Sequence, residues 1–160
     1  MVDEPNDFSL RGRLEFLEAI RERVSEARRD LRPIAWLPNQ IALGPKADAG
    51  PERLFESFSD GALFAWLDDL GVTEILIVGF YAHMTVSTVA REALNRGLDV
   101  RIDPDAVGAR AEDDPLLGRQ SADDVRLSAL LHLTSIGAKP EQLPRKAIYL
   151  DWLDGRRTTA

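Results

Sequence analysis

The sequence contains no cysteine, and that absence excludes disulfide staples, thiolate metal sites and any cysteine nucleophile. Two histidines, His83 and His132, are too few for a histidine-based metal cluster, so neither a metal nor a cofactor is expected. No apolar run approaches the roughly 20 residues that a membrane-spanning helix needs. The first residues, Met1 to Asp7, are acidic and lack the apolar centre of a signal peptide. These features predict a cytoplasmic protein with no membrane partner. An excess of basic charge is also missing: 20 Lys and Arg stand against 27 Asp and Glu, a net charge of -7, which argues against a nucleic-acid partner. The basic run Arg21, Arg23, Arg28, Arg29 and Arg32 is interleaved with Glu18, Glu22, Glu26 and Asp30, as on a solvated helix face.

What is present fits one α/β domain covering residues 1–160, with ordinary apolar content of 44% and no repeat or low-complexity segment. The stretch around which the rest is arranged runs from Glu74 to Ala93. Ile75, Leu76, Ile77 and Val78 form a short apolar run without alternation, which predicts a strand buried on both faces. After Gly79, the positions Val86, Val89, Ala90, Ala93 and Leu94 recur at helical spacing until Gly97. In open α/β sheets ligands bind beyond the carboxyl ends of the strands, so Gly79 to Thr85 is the expected floor of a site.

Upstream, Leu14, Leu17, Ile20, Val24, Ala27 and Leu31 mark the apolar face of a long helix, which is followed by a short buried strand at Ile34 to Leu37. Residues 40–56 read as a loop, and a helix from about Asp60 presents Leu63, Trp66, Leu67 and Leu70 before Gly71. Downstream, Leu98 to Ile102 reads as a strand and Asp103 to Ala109 as the loop at its carboxyl end. Ser121 is positioned to cap a further helix whose apolar side holds Val125, Leu127, Leu130, Leu131 and Ile136, with Gly137 as its stop. Ala147 to Leu153 is open between a terminal strand and a short helix, although Ile148, Tyr149, Trp152 and Leu153 share one helical face. The alternation implies right-handed crossovers and a three-layer α/β/α sandwich around a mostly parallel sheet.

The stretch Gly79-Phe-Tyr-Ala-His-Met-Thr-Val-Ser-Thr-Val-Ala-Arg-Glu-Ala93 resembles the signature of the isochorismatase-like hydrolase superfamily, also called the cysteine hydrolases. The usual turn there reads Gly-Val-Ala-Thr-Asp-x-Cys-Val. The Tyr-Ala-His lettering is closer to true isochorismatases, in which the cysteine is itself replaced. Ser57-Phe58 ahead of a helix, Gly71-Val72 and Asp105-Ala106 also match.

The resemblance implies a role for several residues. Val2-Asp-Glu-Pro-Asn-Asp-Phe8 looks like the motif that ends the first strand, which would make Asp3 the general acid/base; an exposed terminal acid is the other reading. Only two residues precede Asp3, so the family's first strand is expected to be largely missing from this sequence. The lysine position falls on Glu52, with Lys46 nearby, and the cysteine position on Thr85. Thr85 is then a nucleophile, a substrate-binding hydroxyl, or a helix cap or packing residue. A cis peptide is expected between Phe80 and Tyr81, whose turn, with His83 on it, would line the substrate site, and Asn39 falls where a substrate-binding side chain or a plain turn residue would sit. The activity implied is hydrolysis of a small polar or carboxylated metabolite without a cysteine nucleophile, in a dimer or tetramer. The alternative is a catalytically silent relative acting as a binding or assembly subunit.

Overall fold

The computed structural model describes residues 10–37, 51–55 and 61–141. Helix α1 (Leu10–Arg29) leads to strand β1 (Ile34–Trp36), which pairs in parallel with β2 (Glu52–Leu54). Helix α2 (Ala62–Asp69) precedes β3 (Glu74–Phe80), an irregular helical turn (Ala82–Val86) and α3 (Ser87–Asn95). Strand β4 (Asp99–Gly108) then enters a hairpin of β5 (Glu112–Asp114) and β6 (Gly118–Gln120), followed by α4 (Ala122–Ser135) and β7 (Lys139–Pro140). Strands β3, β4 and β7 form a parallel sheet with β4 in the centre. Among the described residues no ladder joins this sheet to the β1–β2 pair.

Alternation along β3 divides the core into two layers, because successive side chains leave a strand on opposite faces. Ile75 and Ile77 pack with α2, α3 and α4, in a cluster built on Phe64, Leu67, Val89, Ala93, Val125, Leu133 and the β4 residues Val100 and Ile102. Val78 and Phe80 pack on the other face, against Ala19, Ile20 and Val24 of α1 and Ala106 of β4. Helices therefore cover both faces of the sheet, as the βαβ alternation predicts. Fully burying one such aliphatic or aromatic side chain stabilises by about 1.5–3 kcal/mol, so the two clusters dominate the fold's stability.

The expectation of a doubly buried β3 needs correction: no residue of the strand is fully buried, and Leu76 is 37% exposed. β3 is paired only with β4 among the described residues, so it sits at an edge where cover is thinner. The segment expected as a loop from Asp103 is strand as far as Gly108. Its irregularity survives as a bulge, since Ile77 pairs with Ile102 but Gly79 with Val107. Pro104 has no N–H for a ladder, and the Asp103 carboxylate accepts the Asp105 N–H at 2.9 Å. Gly79 meets this bulge at φ 120°, a conformation that a side chain would strain.

Residues 40–56 are not all loop, because β2 lies within them. A three-residue strand carries no readable periodicity. The helix stop at Gly97 holds, with φ 82° two residues past the end of α3. Ser121 caps α4 as expected: its Oγ accepts the Asp124 N–H at 3.2 Å and donates to the Asp124 carboxylate at 2.7 Å. Leu14, Leu31, Leu70, Leu131 and Ile136, assigned to apolar faces, are instead exposed. Each lies at the margin of a stripe whose centre (as at Ile20 and Val24, Leu130 and Leu133) is buried. No helix among the described residues is long and apolar enough to cross a membrane.

Candidate functional site

The carboxyl ends of β3 and β4 lie side by side, with Phe80 opposite Gly108. The chain leaves β3 through a cis peptide between Phe80 and Tyr81, as the motif implies. The Tyr81 carbonyl accepts the N–H groups of Met84 (3.0 Å) and Val86 (3.3 Å), closing a wide turn that breaks at Met84 (φ -116°, ψ -105°) before α3 begins. A compact reversal of this kind sets residues 80–85 over the sheet end, where the sequence locates the site.

The structure separates residues that the sequence grouped. Phe80 faces α1, edge-on to Phe16 at a centroid distance of 6.2 Å, and belongs to the α1 layer of the core. Thr85 is half-buried in the turn, and its hydroxyl has no hydrogen-bond partner among the described residues. The capping reading of Thr85 is not met, since neither the turn nor α3 has a side-chain cap. Asp3, Asn39, Lys46, Ser57 and Phe58 lie outside the described residues.

Tyr81 and His83 belong to a polar cluster that the sequence did not reveal. His83 Nε2 lies 2.8 Å from Glu112 Oε1, and Arg110 Nε donates to the same oxygen at 2.9 Å. The Arg110 guanidinium also stacks over the Tyr81 ring at 5.5 Å, and the Tyr81 and His83 rings are 6.1 Å apart. The hydrogen bond from Arg110, and after it that from His83, holds the Glu112 carboxyl below its usual range, while Glu112 in turn raises the Arg110 guanidinium. The only sequence signal was Arg110 and Glu112 two residues apart, the spacing that puts side chains on one face of an extended chain. Their partners on the Tyr-Ala-His turn are nearly 30 positions away in the chain, with a separation of 29 for His83 and Glu112.

Glu52 lies in the separate β1–β2 pair, where it is in register with Ile34 at the start of β1. Its carboxylate accepts two hydrogen bonds from Arg28 (2.7 and 3.1 Å) and one from Trp36 Nε1 (2.9 Å), and its side chain is 1% exposed. Glu52, which falls at the lysine position when residues are counted back from Phe58 without a gap, is thus held by Arg28 and Trp36. Among the described residues no group of three histidine, cysteine or carboxylate side chains could hold a metal ion.

Residues 51–118, which run from β2 through the cis turn to the hairpin, match the family model of the isochorismatase domain. The chain carries an isochorismatase-like domain. A stretch of 54 residues is 46% identical to a secreted isochorismatase effector of Verticillium dahliae, covering 34% of this chain and 28% of that protein. The chain thus matches under a third of that curated relative's length. An isochorismatase from Pseudomonas putida superposes with a TM-score of 0.70 at 20% identity, over 86% of this chain and 79% of its own. The YcaC protein of Escherichia coli, described as an octameric hydrolase of unknown specificity, superposes with a TM-score of 0.60 at 17% identity, over 80% of this chain and 64% of its own. At these identities the structural likenesses establish the fold of the isochorismatase-like domain. Its turn lacks the superfamily's cysteine, with Thr85 in that position.

Proposed function

We propose that this isochorismatase-like domain, spanning residues 1–160, hydrolyses a small polar or carboxylated metabolite without a covalent cysteine intermediate. Asp3 serves as the general acid/base, and Thr85, Asn39, Tyr81 and His83 contact substrate over the turn that begins at Phe80. The observation that carries this reading is the turn of residues 81–86 at the carboxyl end of β3, inside the segment that matches the isochorismatase domain. With a threonine in the cysteine's place, a route through a thioester is closed. A route in which a carboxylic acid protonates a vinyl-ether carbon and water adds to the resulting cation needs no thiol.

Thr85 itself favours a second reading. Its hydroxyl has no base beside it among the described residues, and an unactivated hydroxyl is a poor nucleophile. On that reading the domain is a catalytically silent binding or assembly subunit. The two readings separate in an assay of the full chain for pyruvate release from carboxylated vinyl ethers and ammonia release from small amides. The hydrolase reading expects turnover that Asp3→Asn lowers by about 10²–10⁴-fold, the usual worth of a positioned acid/base. No turnover by the wild type would leave the silent reading, whereas equal turnover by Asp3→Asn would remove Asp3 from the mechanism.

Both readings include a cytoplasmic homo-oligomer that needs no cofactor. Assembly draws support from the octameric description of YcaC, and light scattering on the purified chain tests it. The fungal relative is a secreted effector, so cell fractionation is the corresponding test of compartment.

A further inference from the structure

A groove of about 290 Å³ opens beside the polar cluster, between α3, α4 and the β5–β6 hairpin. Phe80, Tyr81 and Thr85 do not line it. One wall combines His83 of the turn with Ser87 and Arg91 of α3, the last two four residues apart on one helix face. The facing wall comes from α4, where Ser128 and His132 are likewise four apart. Glu112 and Gln120, which pair directly across the hairpin, close the end.

The chemistry of these walls selects a ligand. Arg91 has no carboxylate partner among the described residues; its Nε donates only to Ser87 Oγ, at 3.3 Å. Glu112, the acid in the lining, is already engaged by Arg110 and His83. The groove therefore offers a guanidinium fork whose remaining N–H groups have no partner among the described residues, two hydroxyls and the Gln120 amide, with the Glu112 charge offset by Arg110 and His83. His132 donates from Nδ1 to the Ser128 carbonyl at 2.9 Å, which leaves Nε2 as its second polar atom. Guanidinium forks match the paired oxygens of carboxylates and phosphates, and charge-assisted bonds of this type are about twice as strong as neutral ones. The volume is at the small end of ligand cavities, room for a small molecule of roughly ten heavy atoms.

We propose that this groove is a binding site for a small oxyanion, a carboxylate or phosphate, held by Arg91 with Ser87, Ser128 and Gln120. It shares His83 with the hydrolytic site proposed over the cis turn, but the residues that hold the anion are not part of that site, and it stands whether or not that site is active. The test is thermal unfolding of the full chain titrated with inorganic phosphate or malonate, with sodium chloride keeping ionic strength constant. A ligand that binds only the folded state raises the melting temperature along a saturable curve. The wild type is expected to show such a curve with at least one of the two anions. Arg91→Gln, a change at an exposed position, is expected to weaken it at least tenfold, Arg91→Lys to retain part of it, and Thr85→Val to leave it intact. Ser128→Tyr, which fills the groove without removing the cation, should abolish it. No saturable rise with either anion, an equal rise in Arg91→Gln, or loss in Thr85→Val alone overturns the proposal.

Discussion

Arg23 Nε donates a 2.7 Å hydrogen bond to the carboxylate of Asp103, a side chain with no exposed surface. The pair joins α1 to the bulge of β4. Arg23 also meets Glu26 at 2.9 Å and Glu141 at 3.1 Å, while the second Asp103 oxygen accepts the Asp105 N–H. Burial weakens the guanidinium's hold on its proton, but the hydrogen bonds from Arg23 to Asp103 and Glu26 outweigh it and raise its pKa. Removing one member of a buried pair strands the other charge, which typically costs about 3–5 kcal/mol. Asp103→Ala is accordingly expected to lower the denaturant midpoint steeply. In Arg23→Met/Asp103→Val, where no charge is left stranded at position 103, most of that loss should return. If the double variant is as unstable as Asp103→Ala, packing rather than charge pairing holds α1 to the sheet.

Glu52 gives a second prediction, because its observed partners and the resemblance point in different directions. A residue at the catalytic lysine position would gain by being changed to lysine. Residue 52 instead faces Arg28, whose guanidinium is raised by the Glu52 hydrogen bond, and it accepts from Trp36. Glu52→Lys is expected to destabilise by about 3 kcal/mol or more, since it sets two cations together in a covered position. It is expected to restore no activity. Chemical denaturation and the hydrolysis assays check both halves, and a stable, more active Glu52→Lys protein would support the lysine assignment.

How much of this was legible in the sequence depended on the range of the interaction. The β3–turn–α3 unit was readable because apolar spacing, Gly79 and the Tyr-Ala-His lettering all lie within 20 neighbouring residues, and the cis bond followed from the same motif. The end of β4 was misread because Asp103-Pro104 carries a breaker's signal, while the strand continues past it through a bulge. β2 and the hairpin strands are three residues each, too short for a period to show. Glu52 acquires its role from partners 24 and 16 positions away and Glu112 from one 29 positions away, none of which a local pattern records. Counting residues back from Phe58 put Glu52 at the lysine position, and its contacts with Arg28 and Trp36 were not readable from that count.

Leu31 provides a third prediction. It follows α1 with φ 55°, the left-handed region, and is 69% exposed. The Arg32 N–H reaches the Ala27 carbonyl (2.8 Å) and the Leu31 N–H the Arg28 carbonyl (3.2 Å), the paired bonds of a helix terminus that favours glycine. A side chain in that conformation costs roughly 1–2 kcal/mol. Leu31→Gly is expected to raise the melting temperature by a few degrees, since little apolar burial is lost. A fall in melting temperature would show that the leucine makes a contact worth more than the backbone strain.

The last prediction concerns Glu112, where the linkage has a definite sign. The Arg110 hydrogen bond first, and the His83 hydrogen bond second, lower its carboxyl pKa in the folded protein. A depressed folded pKa contributes stability that is fully present above the unfolded carboxyl's pKa and is lost as pH falls through the folded value. The group is exposed, so the contribution is small and screened by salt. The direct readout is a carbon-detected NMR titration of the Glu112 side chain. In the wild type its midpoint is expected below that of an unpaired glutamate. Arg110→Gln should move it upward more than His83→Gln does, because the arginine bond is the larger cause. Equal midpoints in wild type and Arg110→Gln would mean that the Arg110–Glu112 bond does not persist in solution, and the stacking of Arg110 over Tyr81 would lose its anchor on the hairpin.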